Sequence, residues 1–222
     1  MTKNGKIRHN YTIVELLVVI MIMAILFGAA SGSFSKMFIS QGVIGAVRNV
    51  SSKLNLARSY AVSRNRYVAL LIPDKAAPGS GLTSGLPTDY ENYLYSKTRL
   101  CYVKATTTAG VFNFDGWVEG MEWEDFPAQT TAYLANSSGF TAYKVKTVPL
   151  TTSASPTFDC ASVVFKPAGV LYNCTDAKIK VMLAFYDTNA SALKFQKQED
   201  ENKGWDISIN GYTGRGSYEK KH

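Results

Sequence analysis

Histidine and cysteine are scarce in this chain. Its 222 residues hold two histidines, His9 and His222, and three cysteines, Cys101, Cys160 and Cys174. With no C-x-x-C pair and the histidines at opposite ends, a zinc-type ligand cluster has nothing to be built from. Catalysis through a packed imidazole is excluded on the same ground. Acids are missing from the first ten residues, where Lys3, Lys6 and Arg8 stand alone, and the formal charge of +7 falls to +4 without those three. A balance of that size does not by itself argue for nucleic acid. Charge is nearly absent from Ile13 to Ala30, where Glu15 is the single ionisable side chain.

What the chain does have is aromatic: 13 Tyr, 11 Phe and 3 Trp, with Thr, Ser and Gly common after residue 67. That composition suits strands and turns better than a helical bundle. The length fits one domain with an appended element and is enough to bury a core.

The run from Ile13 to Ala30 is apolar on every helical face, unlike an amphipathic core helix. As a helix it spans about 27 Å, close to the roughly 30 Å hydrocarbon layer of a bilayer. The basic flank before it, with Lys36 alone close behind, predicts a cytoplasmic N-terminus and an exported remainder. Three readings stay open. A secretory signal peptide would end at the small residues Gly28 and Ala30, but its apolar region gains nothing from Glu15. A plain signal anchor leaves the carboxylate equally unexplained. The third accounts for it: a cut between Asn10 and Tyr11 places a new α-amine four residues before Glu15, and that amine on a neighbouring helix neutralises the acid.

The helical pattern continues beyond Ser35. Val43, Val47, Val50, Leu54, Ala57 and Ala61 recur at spacings of four and three, one apolar stripe. Arg48, Ser51, Ser52, Lys53, Asn55 and Arg58 occupy much of the remainder, and Gly28, Gly32, Gly42 and Gly45 predict a kink or local loosening. Arg64 and Arg66 suit the negative pole of the helix end. "RYVALLIPD" (Arg66 to Asp74) reads as a first buried strand, and "YLYSKTRLCYVKA" as a second. "APGSGLTSGLPTDYEN" between them is a turn-rich loop. Further strands are expected at Thr141–Leu150, Ser162–Lys166, Val170–Tyr172, Lys178–Tyr186 and Trp205–Asn210. Short strands separated by turns predict a sandwich-like domain.

"YTIVELLVVIMIMAIL" resembles the class III signal of type IV pilins and type II secretion pseudopilins. In that family a prepilin peptidase cuts before an aromatic residue, the new terminus is N-methylated, and Glu stands fifth in the mature chain; Tyr11 and Glu15 fit that register. One departure is Asn10, where the family carries Gly. "LNLARSYAVSRNRYVALLI" resembles the helix-to-strand junction of the GspH/FimT minor pilins and pseudopilins, with Arg58, Ala61, Arg64, Asn65 and Val68 in the matching places. Gly116-Trp117, the Pro167-x-Gly169 turn and Gly214-Arg215 resemble later landmarks of the same family. The resemblance implies an α+β, pilin-like fold of the GspH/FimT type: a long N-terminal helix packed on an antiparallel β-sandwich-like domain. It implies a basic leader over 1–10, a helix over 11–66 that spans the membrane to about residue 31, and a globular β domain over 67–222.

By the same resemblance the chain is a non-enzymatic minor pilin or pseudopilin, without cofactor or metal, in a type IV pilus or type II secretion pseudopilus. Its partners are other pilin subunits, the prepilin peptidase and the lipid of a bacterial inner membrane, crossed once, with the β domain periplasmic. Glu15 is the assembly residue. A second reading follows FimT-like proteins that bind DNA through a basic C-terminal strand. Here Gly214-Arg215-Gly216-Ser217 lacks the second Arg of that pattern, and Arg215, Lys220 and Lys221 are the candidate phosphate contacts. A third class is an anchored or secreted β domain with an unseen binding role.

Two other groups of residues stand out. Cys160 and Cys174 flank "ASVVFKPAGVLYN", a hairpin turning at Pro167–Gly169, and their symmetric placement predicts a disulfide in an oxidising compartment. Cys101, in an apolar strand, reads as core, with a pairing to either of the other two left open. Glu119, Glu122, Glu124 and Asp125 surround Trp117 and Trp123, match no calcium loop, and read as a charged strand edge.

Overall fold

Thr12 opens the first element and Asn65 closes it. In the computed structural model, which describes residues 12–74, 93–135, 142–149, 157–187, 192–195 and 204–221, and residues 29–40 by their backbone, helix α1 runs over Ile13–Arg64. Glu15 sits in its first turn and Arg64 in its last, both suited to the helix dipole. Asn65 then takes a left-handed φ of 50°, and Arg66 N donates to Ala61 O at 3.2 Å, a C-terminal cap of the left-handed kind. The helix is continuous through the glycines expected to loosen it. Gly42 has a packing role instead: a Cβ there would lie 3.3 Å from Pro127 Cβ.

The chain divides into two compact units between Ser40 and Gln41. In the first, Ile13, Val14, Leu16, Leu17 and Ile20 are all more than half exposed, so no face of the described apolar stretch is covered. Among the described residues, no helix is long and apolar enough to cross a membrane. The last residues of the expected span, 29–31, lie beyond the side chains described. The scissile pair Asn10–Tyr11 and the leader also lie outside the described residues.

In the second unit the predicted stripe forms. Val43, Ala46, Val47, Val50, Leu54, Ala57 and Ala61 are buried in one core with the sheets. Each such Val or Leu contributes about 1.5–3 kcal/mol by leaving water. Lys53, expected on the polar remainder, is only 6% exposed.

The first sheet closes on itself. Strand β1 (Tyr67–Leu71) pairs antiparallel with β2 (Lys97–Ala105) on one side and β7 (Thr157–Phe165) on the other. Strand β7 pairs with β6 (Tyr143–Pro149), β6 with β3 (Val111–Trp117), and β3 with β2, completing a ring of five. The β3–β6 pair is parallel, a correction to the expected all-antiparallel sandwich. Residues opposed across a ladder share a face. The register therefore puts Ala69, Cys101 and Val164 on one face, with Val145 and Cys160 opposed further round, all fully buried. The short β4 (Glu124–Asp125) extends the start of β2.

A second sheet runs β11-β10-β8-β5, with β9 (Ala192–Phe195) on the end of β8. Its strands are β5 (Thr130–Ala135), β8 (Ala177–Asp187), β10 (Gly204–Ile209) and β11 (Gly216–Lys221). Its members pair antiparallel throughout. The fold is thus α+β, one helix against a β-rich domain.

Candidate functional site

Glu15 and its surroundings come first. Thr12 N donates to Glu15 Oε2 at 2.8 Å, Thr12 Oγ1 donates to the same oxygen at 3.1 Å, and Glu15 N donates to Thr12 Oγ1 at 3.2 Å. This is a capping box: threonine and glutamate three apart satisfy each other's backbone at the helix start. Thr-x-x-Glu directly before an apolar run is a legible signal that the sequence reading passed over. It gives Glu15 a local role without using up its charge.

Further along, α1 is stitched to the β domain by polar contacts at three levels. Lys53 Nζ donates to Thr98 O at 3.0 Å and pairs with Glu124 Oε2 at 2.9 Å, while Asn49 Nδ2 donates to Glu124 Oε1 at 2.5 Å. Burial pushes the Lys53 ammonium down more strongly than Glu124 holds it up. The better-solvated Glu124 feels mainly the Lys53 hydrogen bond and is held below the usual carboxylate range. Of the two, the carboxylate's direction is the one that bears on acid stability.

At the helix end, Arg66 pairs with Asp115 and stacks over Tyr102 at 4.4 Å. Lys104 reaches the same carboxylate at 2.5 Å. The Lys104 hydrogen bond is the largest influence on Asp115; with the Lys104 charge and the hydrogen bond and charge of Arg66 it outweighs the opposing effect of burial and holds the carboxyl below its ordinary value.

The third level joins residues far apart in sequence. Arg58 Nε donates to Gly169 O at 3.0 Å. Gly214 packs against the same carbonyl so closely that a Cβ would be driven into it, and that Cβ would also lie 3.3 Å from Arg58 Cδ. Gly169 and Gly214 have φ of 74° and 64°, the left-handed region that favours glycine. Three landmarks noted separately in the sequence, Arg58, the Pro167-x-Gly169 turn and Gly214-Arg215, are therefore one contact.

The acidic group is spoken for. Glu124 belongs to Lys53, Asp125 pairs with Lys97 at 2.9 Å, and Glu122 pairs with Arg99 at 3.1 Å. Arg99 also stacks 3.7 Å over the Trp117 ring. Only Glu119 of the four has no such pair among the described residues. No three His, Cys, Asp or Glu side chains converge on a metal-sized site among the described residues.

The cysteines depart from expectation. All three are free. The hairpin at Pro167–Gly169 forms, with Lys166 N donating to Val170 O, but its register bridges Phe165 to Leu171. Extended, that register sets Cys160 opposite Asp176 rather than Cys174, and pairing has stopped before then. Cys160 lies inside the closed ring and Cys174 in a turn outside it, with φ of 55°. Burial pushes the Cys101 and Cys160 thiols well up.

The C-terminal residues, expected as a basic strand in the FimT-like reading, form β11, exposed along its length at the edge of the second sheet. Arg215 precedes it, and Lys220 stands opposite Trp205. Lys221 lies 4.0 Å from Asp206, which also takes Lys178 at 3.4 Å. With Glu219 between them, these cations do not make the dense basic strip a phosphate backbone selects.

No family model matches the chain, and no curated protein does. Among solved structures, the type IV minor pilin FimU of Pseudomonas aeruginosa is similar in two crystal forms. Identities are 14% and 16%, covering 82% and 79% of this chain and 90% of that one, with TM-scores of 0.40 and 0.39. The minor pseudopilin EpsH from the type 2 secretion system of Vibrio cholerae is similar at 9% identity. It covers 80% of this chain and 94% of that one, with a TM-score of 0.37.

Proposed function

We propose that this chain is a minor pilin or pseudopilin, a structural subunit assembled into a pilus or pseudopilus through α1. The observation that carries the reading is the helix itself. It runs unbroken from a stretch apolar on every face, with Glu15 its one acid, into a stripe buried by the β domain. An all-round apolar cylinder suits lipid or neighbouring helices of the same kind. In this reading a prepilin peptidase cuts between Asn10 and Tyr11 on the cytoplasmic side of the inner membrane, and the β domain lies in the periplasm. Glu15 then meets the α-amine of a neighbouring subunit where low dielectric makes the attraction strong.

N-terminal sequencing after co-expression with a prepilin peptidase tests the processing. A start at Tyr11 supports it, a start at Ser31 means a secretory signal, and an intact Met1 means a plain anchor. The carboxylate is tested by Glu15→Ala and Glu15→Gln. Glutamine retains the capping box and removes the charge. Both variants are expected in the membrane fraction at parental levels and absent from sheared filaments. Incorporation of Glu15→Gln at the parental level would reduce Glu15 to a helix cap.

A further inference from the structure

The β10–β11 turn and the segment after the Lys166–Val170 hairpin form two walls of an open pocket of about 550 Å³. Those walls are tied together. Gly211 N donates to Asp176 Oδ1 at 2.7 Å, and Gly211 O accepts from Leu171 N at 3.0 Å. Gly211 packs so tightly on the Cys174 carbonyl that a Cβ has no room. Lys178 and Ser208 stand directly opposite across the β8–β10 ladder, so their side chains leave one face of the sheet. Asn210 Oδ1 accepts from the backbone N–H groups of Tyr212 at 3.2 Å and Thr213 at 2.9 Å. That turn fixes the backbone at the rim while the Tyr212 ring remains 73% exposed.

We propose that this pocket binds a neutral pyranose sugar, with the Tyr212 ring against the apolar C–H face and Asn173, Asp176, Lys178 and Ser208 on the hydroxyls. The chemistry of the lining selects the guest. One carboxylate and one ammonium, the latter shared with Asp206, leave no net cation for a phosphate and no acid cluster for a metal. An amide and a hydroxyl both donate and accept, a carboxylate accepts and an ammonium donates, which matches vicinal hydroxyls. The backbone N–H of Asn173 donates to Tyr143 Oη at 3.2 Å, whereas its side-chain amide and the Ser208 hydroxyl have no hydrogen-bond partner among the described residues. An apolar guest would leave such groups dry and unpaired. The volume lies within the usual range of small-molecule sites, about 300–1,000 Å³. Binding here is independent of filament assembly, so its test stands or falls apart from the reading above.

The experiment is saturation-transfer NMR on the full chain in a detergent without a sugar headgroup. The probes are glucose, galactose, N-acetylglucosamine and lactose, each at about 5 mM, a concentration suited to a millimolar site. Transfer to the ring C–H protons of at least one sugar is expected. Tyr212→Ala should weaken binding about tenfold and Tyr212→Phe should retain it, since the ring face is kept. Asn173→Ala with Ser208→Ala should weaken it without changing the melting curve, because both side chains are exposed. Asp176 is left intact because it holds the Gly211 turn. Absence of transfer to all four sugars, transfer unchanged in Tyr212→Ala, or preferential binding of inorganic phosphate would each overturn the proposal.

Discussion

Replacing Gly214 with alanine strikes the point where helix, hairpin and C-terminal turn meet. The new Cβ is forced into the Gly169 carbonyl, and the backbone φ of 64° is one that L side chains resist. The left-handed conformation alone costs about 1–2 kcal/mol. Displacing Gly169 O breaks the Arg58 hydrogen bond, part-buried and charge-assisted, for about 1.5–3 kcal/mol more. A loss of about 3 kcal/mol lowers the melting temperature of a domain this size by about 6–12 °C. Thermal melts of the full chain in detergent, read by tryptophan fluorescence, measure it. Gly216→Ala is the matched control, since its Cβ meets nothing nearer than Ser208 O at 4.0 Å. Arg58→Ala should be destabilising alone but add little to Gly214→Ala, because both act on one carbonyl. A Gly214→Ala melt indistinguishable from that of Gly216→Ala would refute the lock.

Acid stability follows from Asp115 and Glu124, both held below their ordinary values of 3.8 and 4.5 by the cations beside them. The unfolded chain takes up these protons first, so the pairs stabilise fully above about pH 4.5 and lose that contribution as pH falls through the lower folded values. A pH series of melts should fall below that point, and Asp115→Asn with Glu124→Gln should flatten the fall. Lys53→Ala removes the ammonium that Thr98 O and Glu124 share and should cost about 2 kcal/mol, while Lys53→Met keeps the packed stem and costs less. Urea melts distinguish the two. Thiol alkylation of the native chain should modify Cys174 ahead of Cys101 and Cys160, as peptide mass mapping will show; a recovered Cys160–Cys174 disulfide would contradict the hairpin register.

Local periodicity carried much of the fold. The stripe from Val43 to Ala61 was visible because its burial repeats every three to four residues, the start of β8 because burial alternates over Ala177–Val181, and β1 because Tyr-Val-Ala-Leu-Leu is a short, continuously apolar run. Strand partnership was not visible, since nothing in β3 or β6 says that they run parallel or close a ring. Strand β11 was suggested only by the FimT-like resemblance, because Gly-Ser-Tyr-Glu-Lys-Lys has no apolar alternation; its place comes from β10 beside it. Lys53 misled for the opposite reason, a charge on the buried side that only Thr98 and Glu124, far along the chain, make tolerable. At the site, Glu15 was legible as an anomaly, but its capping partner Thr12 was overlooked. The Arg58–Gly169–Gly214 contact lay in three recognisable fragments whose meeting is a property of tertiary structure.

The closed ring also sets an order of events for a chain that folds as it emerges. Strand β1 is available early, and β2 can zip onto it soon after, but its other edge waits for β7, most of the domain later. Until then an apolar strand, Tyr67–Leu71, presents open backbone to any strand that passes. Contacts of such sequence separation are slow to form and expose intermediates to misassembly. The Arg58 bond to Gly169 O needs only the hairpin after β7, and Gly214 closes over it later, with the turn after β10. A chain that stops before β7 therefore leaves β1 half-paired, with that one edge open to other strands.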